Sequence, residues 1–262
     1  MLSYQHGYHA GNAADVHKHA LLSWTLAYMV RKDKAISYLE THAGRGAYDL
    51  DGPAAAVTGE ARTGVDRLLH RFPPDHPYVA ALTRFRAENG ARSYPGSPLL
   101  AALTLRPFDK IDLAELHPAE HGALIEAMPA GPNTRIHRRD GLEMAKALTP
   151  PDPRRGLMLI DPSWEVKADY TRLATLLPVI HRKWGVGVLM LWYPILPDRR
   201  HLPMTRTLRD AMPEALVHEV RFPPARPGHG MEGSGMVVVN PPWGMEGEMA
   251  RLSRIFEEAA DG

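Results

Sequence analysis

The sequence predicts an α/β fold built on an open, mostly parallel sheet, and three observations carry that prediction. Seven short β-rich runs recur along the chain, helix-compatible stretches separate most of them, and the last two runs are joined without a helix. Alternation of strand and helix implies crossovers between parallel strands, whereas the helix-free final connection implies an antiparallel hairpin at the sheet edge. With 262 residues, 44% hydrophobic, the chain can bury one sizeable core.

The elements follow in order. Apolar residues at Ala14, Val16, Leu21, Leu22, Trp24, Leu26, Ala27 and Val30 predict a helix over 13–30, with Asn12 as its cap. A strand over 36–39 runs into Thr41-His42-Ala43-Gly44-Arg45-Gly46. Residues 51–94 read as a basic helical insertion, with helices near 63–70 and 78–89 and breaks at Pro73, Pro74 and Pro77. The remaining strands are expected at 111–116, 134–138, 157–160, 187–192, 216–222 and 236–239. Helices are expected at 98–105, 119–127, 142–148, 170–181 and 204–212. This divides the chain into a main domain, 1–50 and 95–262, and an insertion subdomain, 51–94.

Composition removes several chemistries. The absence of Cys excludes disulfides, thiolate nucleophiles, iron–sulfur clusters and Cys-ligated zinc, and fits a reducing compartment. The first twenty residues lack the continuous apolar stretch of a signal peptide, and the longest apolar run, 185–196, is short of the roughly 20 residues that span a bilayer. A cytoplasmic protein without a membrane partner is expected. A net charge of +1 is no footprint for nucleic acid, so any polyanion site must be local. Candidates are Arg31, Lys32 and Lys34; Arg62, Arg67, Arg71, Arg84, Arg86 and Arg92; and Arg135, Arg138 and Arg139, although for each cluster a solvated face is the favoured reading. His6, His9, His17 and His19 raise the question of zinc, but residues two apart on a helix point some 200° apart, and no metal is expected. Neither a Gly-x-Ser-x-Gly elbow nor a phosphate-binding P-loop is present.

In open parallel sheets, ligands bind beyond the carboxyl ends of the strands where strand order reverses. What directly follows each strand is therefore informative. After the first comes the Gly44–46 turn, which either lets backbone N–H groups approach a ligand or is an ordinary strand-to-helix turn. The second ends with Glu115, an acceptor for ribose hydroxyls, and the third with Asp140-Gly141. The fourth ends with Asp161-Pro162-Ser163-Trp164, which sets an acceptor, a rigid turn and an aromatic ring in one step. That combination suits a planar amine: the Asp161 carboxylate and Pro162 carbonyl can hold its two hydrogens, and Trp164 can stack on a flipped base. Asn240-Pro241-Pro242-Trp243 looks like a similar loop but follows the seventh strand, so it is assigned to structure at the sheet edge.

Taken together, Met1-Leu2-Ser3-Tyr4, His9-Ala10-Gly11-Asn12, Ala14-Asp15-Val16, Lys18-His19, Tyr38 to Gly44, Tyr94 to Leu99, Glu115-Leu116-His117-Pro118, Asp140-Gly141, the Asp161 loop, Leu191-Trp192-Tyr193-Pro194 and Asn240 to Trp243 resemble the bacterial 23S rRNA adenine-N6 methyltransferases of the RlmJ type. The resemblance covers nearly the whole chain in order. It implies a Rossmann-like class I methyltransferase using S-adenosyl-L-methionine, acting as a monomer on an adenine in a hairpin of naked or early-assembly 23S rRNA. It also implies cofactor contacts at Lys18, His19, His42, Gly44, Ser97, Glu115, Asp140, Gly141 and Asp161, a catalytic loop at Asp161, Pro162 and Trp164, and substrate contacts at Tyr4 and Trp164. One departure stands out: where the family loop reads Asp-Pro-Pro-Tyr, this chain has Ser163 and Trp164. A DNA adenine-N6 methyltransferase, an RNA-binding module with a weakened loop, and a zinc hydrolase using the N-terminal histidines are the alternatives.

Overall fold

The structure is a computed structural model and describes residues 5–224 and 230–261. The chain runs through α1 (Ala13–Met29), β1 (Ser37–Glu40), β2 (Ala47–Asp49), α2 (Pro53–Thr58), α3 (Val65–Leu68), α4 (Pro77–Asn89), β3 (Ser93–Pro95), α5 (Ser97–Thr104), β4 (Lys110–Ala114) and α6 (Pro118–Ala127). It continues through β5 (Thr134–His137), α7 (Gly141–Leu148), β6 (Gly156–Ile160), α8 (Ala168–Lys183), β7 (Val188–Ile195), α9 (His201–Ala211), β8 (Leu216–Arg221), β9 (Gly233–Val239) and α10 (Met245–Asp261).

The seven expected strands form one sheet, in the order β5-β4-β1-β6-β7-β9-β8. Pairing is parallel from β5 to β7, and β9 is antiparallel to both its neighbours. The hairpin differs from the expectation in one respect: β9 folds back inside, and β8 takes the edge. The reason lies in composition. Every residue of β9 is buried, whereas β8 alternates buried and exposed positions, so the half-polar strand faces water.

Period-two alternation separates two cores. Tyr38, Leu157, Leu159, Val188, Met190, Met236 and Val238 point to one face, under α1, α4, α5 and α10. Leu39, Met158, Ile160, Leu189, Leu191, Val237 and Val239 point to the other, under α7, α8 and α9. By the same parity Glu40, Asp161, Trp192 and Ser234 project toward α1. That face carries the site.

Helix α1 begins at the expected cap, where the Asn12 side chain accepts from the Asp15 N–H at 2.8 Å. Residues 51–94 leave and return through a short ribbon, with β2 antiparallel to β3 and Tyr48 opposite Tyr94. Its helices do not form a separate core: Val65, Leu68, Tyr78, Leu82 and Phe85 join the cluster that contains Val16, Leu22 and Leu100. Helix α10 was not expected, and it covers β8 and α1 with Met249, Leu252 and Phe256. No helix of the described residues is long and apolar enough to cross a membrane.

Candidate active site

Strand order reverses between β1 and β6, and a cleft of about 390 Å³ opens there beyond the carboxyl ends. Its glycine loop leaves β1 at Thr41 and turns through Gly44 (φ +63°) and Gly46 (φ +81°), conformations that favour glycine. Glu115, just past β4, clasps the loop: one carboxylate oxygen accepts from Gly44 N–H at 2.9 Å, the other from His117 N–H at 2.7 Å. Burial raises the Glu115 carboxyl above its ordinary value, against those two N–H donors. Arg45 is pinned outside by Glu120, through Nε at 3.0 Å and Nη2 at 2.8 Å.

Helix α1 supplies the charges. Lys18, 4% exposed, places Nζ 3.0 Å from Asp15 Oδ1 and 2.6 Å from Asp161 Oδ2. Asp15 also accepts from Gly11 N–H at 2.9 Å and pairs with His6 Nε2 at 2.8 Å. Burial alone would raise the Asp15 carboxyl, but the charges of His6, Lys18 and His19 outweigh it and hold it well below the usual range. Burial would lower Lys18, yet Asp15 and Asp161 keep its ammonium above the ordinary lysine value. His19 is pushed down to about 3, chiefly by burial, and its Nδ1 is 2.9 Å from the Tyr94 hydroxyl. His42, with Nδ1 2.7 Å from Thr41 Oγ1, is likewise lowered by burial, to about 4.

Behind Lys18 lies a carboxyl that the sequence did not flag. Glu40, fully buried at the end of β1, accepts from Tyr38 Oη at 2.8 Å and from Ser97 Oγ. Burial raises it to about 8, with nearby Asp161 adding to the effect and the two hydroxyls opposing it. Ser97 therefore reaches the cleft wall with its hydroxyl already engaged.

The Asp161 loop joins these parts from β6. Asp161, Pro162, Ser163 and Trp164 all line the cleft. Trp164 differs from expectation in its orientation: it has φ +59°, is 5% exposed, and packs on Tyr170 with ring centroids 4.3 Å apart. The positive φ swings most of the indole into the core beneath α8, so only part of it borders the cleft; its Nε1 is buried without a partner among the described residues.

Lys18, His19, His42, Gly44, Ser97, Glu115, Asp161, Pro162 and Trp164 thus converge on one cleft. Asp140 and Gly141 do not line it. Asp140 caps α7, accepting from Leu142 N–H at 2.8 Å and Glu143 N–H at 3.0 Å. Gly141 presses on the β1 turn so closely that a Cβ there would lie 1.7 Å from the Thr41 carbonyl oxygen. Tyr4 lies outside the described residues. Asp15, Glu40 and Trp192 are the additions; Asp15 and Lys18, three apart on a helix, carried a readable spacing signal.

The histidines have protein partners: His6 with Asp15, His9 with Glu60 at 2.9 Å, His17 with Ser234 and His218, and His19 with Tyr94. Among the described residues no group of three or more His, Asp or Glu is placed to hold a metal. The insertion arginines are largely engaged internally: Arg92 by Asp51 and Asp66, Arg71 by Glu258, Arg84 by Glu88, and Arg67 and Arg86 by backbone carbonyls. Arg138 and Arg139, at the carboxyl edge, make no ion pair among the described residues. Because β9 is antiparallel, Asn240 to Trp243 fall at the opposite end of the sheet, where Asn240 donates to the Gly185 and Gly187 carbonyls. Their strand is next to the edge, not at it.

Comparison with known proteins agrees with this layout. The family described as ribosomal RNA large subunit methyltransferase D, RlmJ, matches residues 33–260. The chain is 38% identical over 253 residues to ribosomal RNA large subunit methyltransferase J of Escherichia coli (strain K12), covering 95% of this chain and 90% of that one. The Haemophilus influenzae protein of the same name is 36% identical over 257 residues, covering 96% and 92%. A crystal structure of a protein from Legionella pneumophila superposes with TM-score 0.88 at 31% identity, over 97% of this chain and 94% of that one. A probable spermidine synthase from Corynebacterium glutamicum, at TM-score 0.54 and 12% identity over 92% and 70%, shares the fold alone. The chain belongs to the RlmJ family of ribosomal RNA large subunit methyltransferases.

Proposed function

We propose that this chain is an S-adenosylmethionine-dependent methyltransferase that modifies N6 of one adenine in 23S rRNA. The observation that carries the reading is the sharing of one cleft by Asp161, Pro162 and the glycine turn, with Lys18 joining Asp161 to α1. The residues fit the cofactor. A volume of about 390 Å³ lies within the 300–1,000 Å³ typical of small-molecule sites. Glu115 retains lone pairs for ribose hydroxyls beyond its two backbone donors, and the carboxylates of Asp15 and Asp161 complement a cationic centre. Lys18, His19, His42, Gly44, Ser97, Glu115 and Asp161 form the cofactor wall, with Asp140 and Gly141 behind it; the substrate role of Tyr4 rests on the family resemblance alone.

When bound, S-adenosylmethionine supplies a methyl group on a sulfonium. The protein's part is positioning. Asp161 Oδ2 stays on Lys18, leaving Oδ1 to accept one hydrogen of the adenine amine while the Pro162 carbonyl accepts the other. Holding both hydrogens in the ring plane aims the nitrogen lone pair, and Asp161 takes the proton released on methylation. Trp164 borders the base pocket through its exposed edge. Arg138 and Arg139 contact phosphates, which makes binding fall with salt.

The enzyme acts as a monomer in the cytoplasm, on a hairpin of naked or early-assembly rRNA. Residues 51–94 form a helical subdomain carried by the methyltransferase body of 1–50 and 95–262. The test is a nucleoside digest of rRNA from cells with and without this protein, read by mass spectrometry. One N6-methyladenosine should be missing when the protein is absent. Unchanged rRNA, or purified protein that methylates duplex DNA in preference to rRNA, overturns the reading.

A further inference from the structure

The cleft has a second indole with no role so far. Leu191 of β7 pairs with Ile160 of β6, and that parallel register carries Trp192 alongside Asp161. Leu191 and Ile160 belong to the far core, so their successors both project toward α1. Lys18 confirms the convergence: its Nζ is 2.6 Å from Asp161 Oδ2 and 5.4 Å from the Trp192 ring centroid. Trp192 is half-buried and lines the cleft, whereas most of Trp164 is committed to Tyr170.

The Trp192 ring is also anchored. Its Nε1 donates to Ser234 Oγ at 2.8 Å, and Ser234 Oγ is 2.8 Å from His17 Nδ1. His17 Nε2 is 2.9 Å from His218 Nδ1, and His218 Nε2 is 3.0 Å from Ser253 Oγ. An indole N–H can only donate, so Ser234 accepts there, and its own hydroxyl hydrogen is free to be donated to His17 Nδ1. In that set of tautomers His17 Nε2–H donates to His218 Nδ1 and His218 Nε2–H to Ser253 Oγ, so the Ser234 hydrogen has an acceptor. The arrangement needs both imidazoles neutral. Burial holds His17 well below the ordinary histidine value and lowers His218 to about 4. The chain therefore runs from the cleft wall, through β9 and α1, to β8 and α10, and an unpaired member of it would be costly.

We propose that Trp192 is the stacking wall for the accepting adenine, and that Ser234 and His17 are positioning residues that fix the plane of its indole. The proposal rests on the methyltransferase reading above. The test uses the full chain and a 23S rRNA fragment that the wild type methylates, with two readouts. One is kcat and KM for methyl transfer; the other is the fluorescence of the same fragment carrying 2-aminopurine at the accepting position, which stacking quenches.

Trp192→Ala should lower kcat/KM roughly five- to 150-fold, the factor expected for one base–aromatic stack, and raise the fluorescence of the complex. Trp192→Phe, which keeps a ring, should recover most of both. Ser234→Ala, which removes only the anchor, should fall between them and act on kcat more than on KM. Trp243→Ala, 86% exposed at the opposite end of the sheet, should match the wild type. The proposal is overturned if Trp192→Ala stays within about twofold of wild type, or loses activity while the 2-aminopurine remains quenched. The positioning role is overturned if Ser234→Ala matches wild type in both readouts. A wild type that transfers no methyl group to any 23S rRNA fragment would instead remove the underlying reading.

Discussion

Replacing Lys18 with methionine keeps the length and apolar stem of the side chain and removes one ammonium from between two carboxylates. Asp15 keeps His6 and the Gly11 N–H, while Asp161 loses its ion pair. Breaking a buried pair costs about 3–5 kcal/mol. The Asp161 side chain is 13% exposed, and Asp15 retains its other donors, so the expected loss is near the lower end, about 3 kcal/mol. In a protein of this size that is a fall in melting temperature of roughly 6–12 °C.

The loss has a defined pH dependence. The folded Asp15 carboxyl lies below its ordinary value of 3.8, so its contribution is present above that pH and disappears as pH falls through the folded value. The gap between wild type and Lys18→Met should therefore narrow in acid. Thermal and urea unfolding at pH 7 and at a pH well below 3.8, with methyl transfer measured in parallel at pH 7, check this. A variant that melts within about 2 °C of wild type at pH 7 would refute the view that Lys18 ties α1 to the Asp161 loop.

Three further outcomes are expected. Glu40 is raised from 4.5 to about 8, so its protonated form favours the fold; its contribution is complete below about 4.5 and is lost as pH rises through about 8. Glu40→Gln should abolish that part of the decline in stability between those values, and an unchanged pH–stability curve would contradict the assignment. Gly141→Ala places a Cβ 1.7 Å from the Thr41 carbonyl oxygen, which requires a backbone shift and a loss of about 3 kcal/mol in denaturant unfolding. Arg138→Ala and Arg139→Ala should each reduce the salt slope of RNA affinity by about 1, with little change in the melting curve; an unaltered slope would remove them from the phosphate interface.

Much of this architecture was legible because burial leaves its mark on composition. Strands buried on both faces read as continuous apolar runs, and Leu157 to Ile160 or Leu189 to Leu191 could hardly be otherwise. The strand ends were legible too, since β1 and β6 deliver Gly44 and Asp161 to one crevice. Other features had no local signal. Strands β2 and β3 are three residues each, too short to show a period. Which strand of the final hairpin lies inside follows from burial, not from the turn. The orientation of Trp164 depends on a positive φ that its residue type disfavours. Helix α10, by contrast, does carry a local signal in the helical spacing of Met249, Leu252, Phe256 and Ala259. The link from Lys18 to Asp161 spans 143 residues, and only the packing of α1 on the sheet reveals it.

The most direct measurement is transfer of a trideuterated methyl group from labelled S-adenosylmethionine to a 23S rRNA fragment, read by mass spectrometry of the digested nucleosides. Wild-type protein should yield N6-methyladenosine heavier by the label at one position, and Asp161→Ala should yield none. Label on another base, or equal labelling by the Asp161→Ala protein, would contradict the assignment of the Asp161 cleft as the catalytic centre.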